Sequence, residues 1–217
     1  MARWMLLDLD GTLVDSVPDL ASALNRLLVA RGLAPLSRPL VQSFVGDGAK
    51  ALVERGFAHH GRLASAQDQA AFLEDYSAHA ADETCAYPGV PEGLQRLRAE
   101  GWTLAVCTNK PETPARSLLD QLGLAGFFVA VGGGDSFPVR KPDPAHLLAT
   151  LHAAGGTVER CVMVGDHHND ILAAVGARVP AIWAKWGYGA DVAGASVAID
   201  GFNELPEAAN ALLRAGL

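Results

Sequence analysis

Hydrophobic positions follow two rhythms along the chain. Residues 4–9 form a short apolar run that ends among carboxylates, a pattern suited to a buried strand. From residue 16 the spacing becomes helical: Pro18 can open a helix after Ser16, and Leu20, Leu24, Leu27 and Leu28 line one side of it before Gly32. Helix-like spacing continues over 48–60 and 65–81, and no strand pattern is found between residues 16 and 85. The pattern then alternates as helix 91–100, strand 102–107, helix 112–122, strand 127–131, helix 143–154, strand 160–164, helix 169–176 and strand 179–183. No element is placed beyond 183.

Strands separated by helices of this length predict a parallel sheet covered on both faces. The fold class expected is therefore α/β, a Rossmann-like doubly wound sheet with the first strand central. Right-handed crossovers allow an order with the strand at 160 on one side of it and the strand at 102 on the other. Such a reversal opens a ligand crevice at the carboxyl ends of the strands. Residues 16–85 become an inserted all-helical cap domain, and residues 1–15 with 86–217 form the core.

Composition narrows the partners. The chain has 217 residues, half of them apolar, and a net charge of −7, which suits a globular domain with a substantial core. A negative surface disfavours nucleic acid and anionic membranes, so the partner expected is a small molecule. No basic segment precedes a long apolar one and no apolar run approaches a membrane span, which makes the cytoplasm the expected location. Cys85, Cys107 and Cys161 are odd in number and far apart, and read as reduced structural thiols.

The candidate chemistry is acidic. Asp8 and Asp10 follow the first apolar run, and Asp166 and Asp170 follow the run at 160–164. Two parallel strands would deliver these four carboxylates to one sheet edge, where they repel one another unless a cation sits among them. A hard divalent ion, Mg2+, suits an all-oxygen set. Asp166 and Asp170 are four residues apart, on one side of a first helical turn whose N-terminus favours anions.

DLDGT at 8–12, Thr108 after LAVC, Lys141 in VRKPDP and GDHHND at 165–170 occur in the order that resembles the haloacid dehalogenase superfamily of phosphatases, with helical-cap phosphoglycolate phosphatases most similar. The resemblance spans the chain. It implies that Asp8 is the nucleophile, forming an aspartyl phosphate, and that Asp10 is the acid/base. Asp10 also favours phosphate over organohalide, since dehalogenating relatives lack that carboxylate. Thr108, Asn109 and nearby amides, with Gly11, would hold the phosphoryl group, and Lys141 would pair with Asp8 and a phosphoryl oxygen. Asp8, Asp166, Asp170 and the backbone carbonyl of Asp10 would hold Mg2+, with Asp170 also orienting Lys141. Lys110 and Arg140 read as surface residues.

One departure is His167, where relatives carry serine or threonine, followed by His168. Adjacent side chains on a helix do not face one another, so His167 is expected to hydrogen-bond a carboxylate or phosphate rather than bind zinc or manganese. In the cap, the segment 43–56 resembles the corresponding loop of phosphoglycolate phosphatases. Gly46 and Gly48 would aim amides at an anionic leaving group, and Lys50 and Arg55 are the basic residues placed to recruit a carboxylate.

The resemblance thus implies an Mg2+-dependent phosphomonoester hydrolase, a monomer or homodimer, acting on 2-phosphoglycolate. Sugar phosphates, N-acetylmuramic acid 6-phosphate, pyrophosphate, nucleotides and a beta-phosphoglucomutase-like isomerisation are the alternatives. A phosphoaspartate receiver module shares the acidic pair, threonine and lysine, but has no place for the large cap or the second acidic pair.

Overall fold

A computed structural model describes residues 2–190 and 193–215. Met1, 191–192 and 216–217, which fall within the expected core span, lie outside the described residues. The chain starts with β1 (Arg3–Leu7) and β2 (Val14–Asp15), then runs through four helices, α1 (Val17–Ala30), α2 (Arg38–Gln42), α3 (Ala49–His59) and α4 (Ala66–His79). It returns through β3 (Cys85–Ala86) into α5 (Val90–Ala99), β4 (Trp102–Cys107), α6 (Glu112–Gln121), β5 (Phe128–Gly132) and α7 (Pro144–Ala153). β6 (Cys161–Gly165), α8 (His168–Ala177), β7 (Ala181–Ala184), β8 (Val197–Ile199) and α9 (Leu205–Ala215) complete it.

The six-stranded sheet has the order β5-β4-β1-β6-β7-β8, all parallel, with β1 between β4 and β6, an order that right-handed crossovers allow. Alternate residues of β1 enter different layers: Met5 and Leu7 pack with Leu94, Leu118 and Leu212 of α5, α6 and α9. Leu6 packs on the other face with Leu147, Leu151 and Ile171 of α7 and α8. Burial on both faces is why this strand reads as an unbroken apolar run rather than an alternating one.

The inserted helices bury a separate cluster. Leu20, Leu24, Leu27 and Leu28 of α1 meet Val41, Leu52, Phe57 and Phe72. Five elements depart from the sequence reading. α2 has only five residues, too few to display a period, and β2 pairs antiparallel with β3 over two residues at the base of the insertion. β8 and α9 extend the core past residue 183, with Leu205, Ala209 and Leu212 of α9 closing one layer. Among the described residues no helix is long and apolar enough to cross a membrane.

Candidate active site

β1 ends at Leu7 and hands the chain directly to Asp8, whose amide still pairs with the Val164 carbonyl of β6 at 2.9 Å. The carboxyl of Asp8 is thereby fixed at the sheet edge. Its Oδ1 accepts the Leu9 amide at 2.7 Å and lies 3.0 Å from Lys141 Nζ, while Oδ2 has no hydrogen-bond partner among the described residues. On the neighbouring strand β6 runs into Asp166, and the first turn of α8 supplies Asp170. The His167 amide donates to Asp170 Oδ2 at 3.0 Å, so a helix start holds the second carboxyl.

Asp166 is gripped from two loops. Thr12 Oγ1 donates to its Oδ1 and the Tyr188 amide to its Oδ2, both at 2.8 Å. Gly11 lies against it with φ of +86°, and a Cβ there would fall 2.4 Å from Asp166 Oδ2. Only glycine satisfies both the backbone angle and the approach. The result is that carboxylate oxygens of Asp8, Asp166 and Asp170 lie within 4.8 Å of one another.

Charge decides what this cluster can hold. Lys141 is buried, donating to Asp170 Oδ1 at 2.6 Å and to the Cys107 carbonyl at 2.5 Å, and it also meets Asp8. Burial alone would lower its pKa, but the Asp170 and Asp8 carboxylates outweigh that and hold it above the usual lysine value. Three carboxylates against one ammonium leave two negative charges uncompensated. A divalent cation balances them, and an all-oxygen donor set suits a hard one.

Protonation responds to the same imbalance. Burial, only partly offset by Lys141, pushes the Asp8 pKa up from 3.8 to about 6. Burial together with the Asp170 and Asp8 charges pushes Asp166 up from 3.8 to about 8. Unfolded, both carboxyls would lose their protons near 3.8, so across this window the folded chain binds more protons than the unfolded one. Stability without a cation therefore falls as pH rises. We expect the thermal midpoint of chelator-treated protein to drop on the order of 5 °C between about pH 5 and about pH 8. Added divalent cation should reverse the drop at the higher pH; a midpoint independent of pH and cation would contradict the charge balance.

Beside the acidic cluster lies a narrow pocket between core and inserted helices, lined by Asp8, Asp10, Gly46, Gly48, Thr108 and Asn109, with Leu20, Leu52, Phe72 and Leu73 as its apolar wall. Thr108, just past β4, is buried; its amide donates to the Gly132 carbonyl and its Oγ1 accepts the Lys110 amide. Asn109 Nδ2 donates to the carbonyls of Gly46 and Lys141, both at 3.0 Å, tying the cap loop to the lysine loop. Gly46 also accepts from Asn169 Nδ2 at 3.2 Å, and Gly48 precedes α3 as its cap residue.

Several residues stand elsewhere than the sequence suggested. Lys50 is exposed, 3.8 Å from Glu54 on the same helix, and does not line the pocket. Arg55 is spent on the Phe44 carbonyl and the Asp47 carboxylate, and it too is absent from the pocket wall. Lys110, read as a surface lysine, is buried: its Nζ bonds both Asp10 oxygens, at 3.2 and 3.3 Å, and the Tyr76 hydroxyl at 2.6 Å. The Asp10 side chain thus stands on Lys110, outside the three-carboxylate cluster. His167 caps α8 by accepting the Asn169 amide at Nδ1, with no bond to a carboxylate from its ring among the described residues. All three cysteines are free; Cys107 and Cys161 are buried and Cys85 is exposed.

Comparison with known proteins agrees with this geometry. Residues 2–178 match the haloacid dehalogenase-like hydrolase family. A phosphoglycolate phosphatase of Caulobacter vibrioides is 44% identical over 213 residues, covering 95% of this chain and 90% of that protein. One from Agrobacterium fabrum is 46% identical over 187 residues, covering 84% and 80%. Among solved structures, a predicted phosphoglycolate phosphatase from Haemophilus somnus 129PT superposes with a TM-score of 0.88 at 30% identity, covering 95% of this chain and 97% of its own. CbbY from Rhodobacter sphaeroides, solved with phosphate, gives 0.81 at 26% identity, covering 94% and 96%. The sheet order, the acidic cluster and the matched sequence all lead to one assignment: the chain belongs to the haloacid dehalogenase-like hydrolases.

Proposed function

We propose that the protein hydrolyses 2-phosphoglycolate to glycolate and phosphate, using Asp8 as nucleophile and Mg2+ as its cation. The observation that carries the reading is the cluster of Asp8, Asp166 and Asp170 with a single ammonium, beside a pocket closed by the inserted helices. Identity to phosphoglycolate phosphatases over most of the chain supports the substrate. When bound, Mg2+ would offset the charge on the cluster and on the phosphoryl oxygens.

The chain's own residues account for the rest. Asp8 Oδ2, free of hydrogen bonds, attacks phosphorus in line and takes the phosphoryl group as an aspartyl phosphate. Asp10 faces the same pocket, protonates the departing glycolate oxygen and then takes a proton from the water that cleaves the intermediate. Thr108 and the amides after β4 hold phosphoryl oxygens, and Lys141 opposes the charge that builds up in the transition state. Residues 16–85 act as the cap domain on a core of 1–15 and 86–217, excluding water while the phosphoenzyme exists.

A phosphate-release assay with Mg2+ over the phosphate esters of glycolate, sugars, N-acetylmuramic acid and nucleotides, plus pyrophosphate, tests the substrate. The highest kcat/KM is expected for 2-phosphoglycolate. A higher value for any other ester, or conversion of a sugar phosphate into its isomer without phosphate release, would overturn it.

A further inference from the structure

The pocket beside Asp8 is walled on its cap side mainly by apolar residues, and Lys110 lines it. Lys110 is 5% exposed, which is unusual for a lysine and demands local partners. It has them on both the core and the cap: Asp10 in the loop after β1 and Tyr76 in α4. An ammonium has three N–H donors. Its three acceptors are the two Asp10 oxygens, at 3.2 and 3.3 Å, and the Tyr76 hydroxyl at 2.6 Å; the two longer Asp10 contacts can be served by one forked N–H, which frees another for an incoming anion.

Tyr76 is in a matching condition. Its hydroxyl oxygen accepts from Lys110, yet its own O–H proton has no acceptor among the described residues. Its ring is held in place by stacking on Phe72, with centroids 5.8 Å apart and planes 2° from parallel. A phenol donor without an acceptor and a charged ammonium therefore stand side by side on the wall of the same pocket that holds Asp8. The cations expected to recruit an anion, Lys50 and Arg55, are committed elsewhere.

We propose that Lys110 and Tyr76 together form the receptor for a carboxylate on the leaving group, and so select phosphomonoesters of small hydroxy acids. This rests on the reading of the site as a phosphomonoesterase and deepens it. Each carboxylate oxygen would take one donor, the ammonium on one and the phenol on the other. The apolar wall of Leu20, Leu52, Phe72 and Leu73 strengthens that pairing by excluding water and leaves few polar groups for a sugar to address. Because Lys110 also touches Asp10, its loss would slow every substrate to some degree. Selectivity, not rate alone, is the property that separates the two roles.

The test compares kcat/KM for 2-phosphoglycolate and for 2-phosphoglycolamide, in which a neutral amide of the same shape replaces the carboxylate, in wild-type protein, Lys110→Met and Tyr76→Phe. The preference ratio cancels any effect transmitted through Asp10. In wild type it is expected to be about 100 or more, in Tyr76→Phe several-fold lower, and in Lys110→Met within roughly fivefold of unity. A ratio unchanged in either folded variant, or a wild type indifferent to the charge, would overturn the receptor. If Lys110→Met fails to fold by circular dichroism, Tyr76→Phe decides alone. A wild type that hydrolyses other phosphate esters but neither of these two compounds overturns the substrate reading, while no phosphate release from any ester overturns the phosphomonoesterase reading itself.

Discussion

Replacing Asp8 by asparagine is expected to lower kcat/KM for phosphate release by about 10⁴-fold or more, because the attacking oxygen is gone while the scaffold around it is kept. The contacts explain why the loss should be so selective. Asp8 Oδ1 receives the Leu9 amide and faces Lys141, and an asparagine oxygen can accept both. Only the unbonded Oδ2 changes, becoming an amide nitrogen that cannot attack phosphorus. Folding should not suffer, since the substitution removes one of three mutually repelling buried carboxylates. The thermal midpoint without divalent cation is expected to equal or exceed that of the wild type. Turnover within tenfold of wild type would remove Asp8 from the nucleophile's place.

The sheet was the most legible part of the molecule. WTLAVC and RCVMV, the readings for β4 and β6, are apolar apart from Thr103 and Arg160 because both faces are covered, and helices of about ten residues lie between the strands. The observed order around β1 is one that right-handed crossovers allow. What escaped was short or late. β8 has three residues, and α2 and the β2–β3 ribbon have five and two, below the length at which a period can be recognised. α9 carried a visible signal in Leu205, Ala209 and Leu212, spaced for one helix face, which could have been read.

The acidic cluster was equally legible, because motifs at strand ends report position directly: β1 stops before Asp8 and β6 before Asp166. The pocket was not. Which lysine is buried depends on tertiary partners, and nothing in TNKP marks Lys110 as the neighbour of Tyr76, 34 residues away in a helix of the cap. Lys50 and Arg55 lie close in sequence to the cap loop, but Glu54 and Asp47 lie close to them as well. A local acidic neighbour four or eight positions away on a helix or its entry was the available sign that these cations were already paired. The Tyr188 amide on Asp166 left no sequence trace at all, since any residue could supply it.

The second large effect is the loss of activity without a cation. Lys141 can neutralise one charge of the cluster and is already shared by Asp8 and Asp170, so it cannot also serve Asp166. With two negative charges unbalanced, burial pushes Asp166 to about 8 and Asp8 to about 6, and an incoming phosphate dianion would add further repulsion. The reaction therefore needs a divalent ion among these oxygens, more than any single hydrogen bond in the pocket. Phosphate release from 2-phosphoglycolate, measured after exhaustive chelation and again as Mg2+ is titrated back, tests this most directly. The predicted result is a fall of about 10³-fold or more, restored in a saturable manner by Mg2+; an undiminished rate in the chelated protein would contradict it.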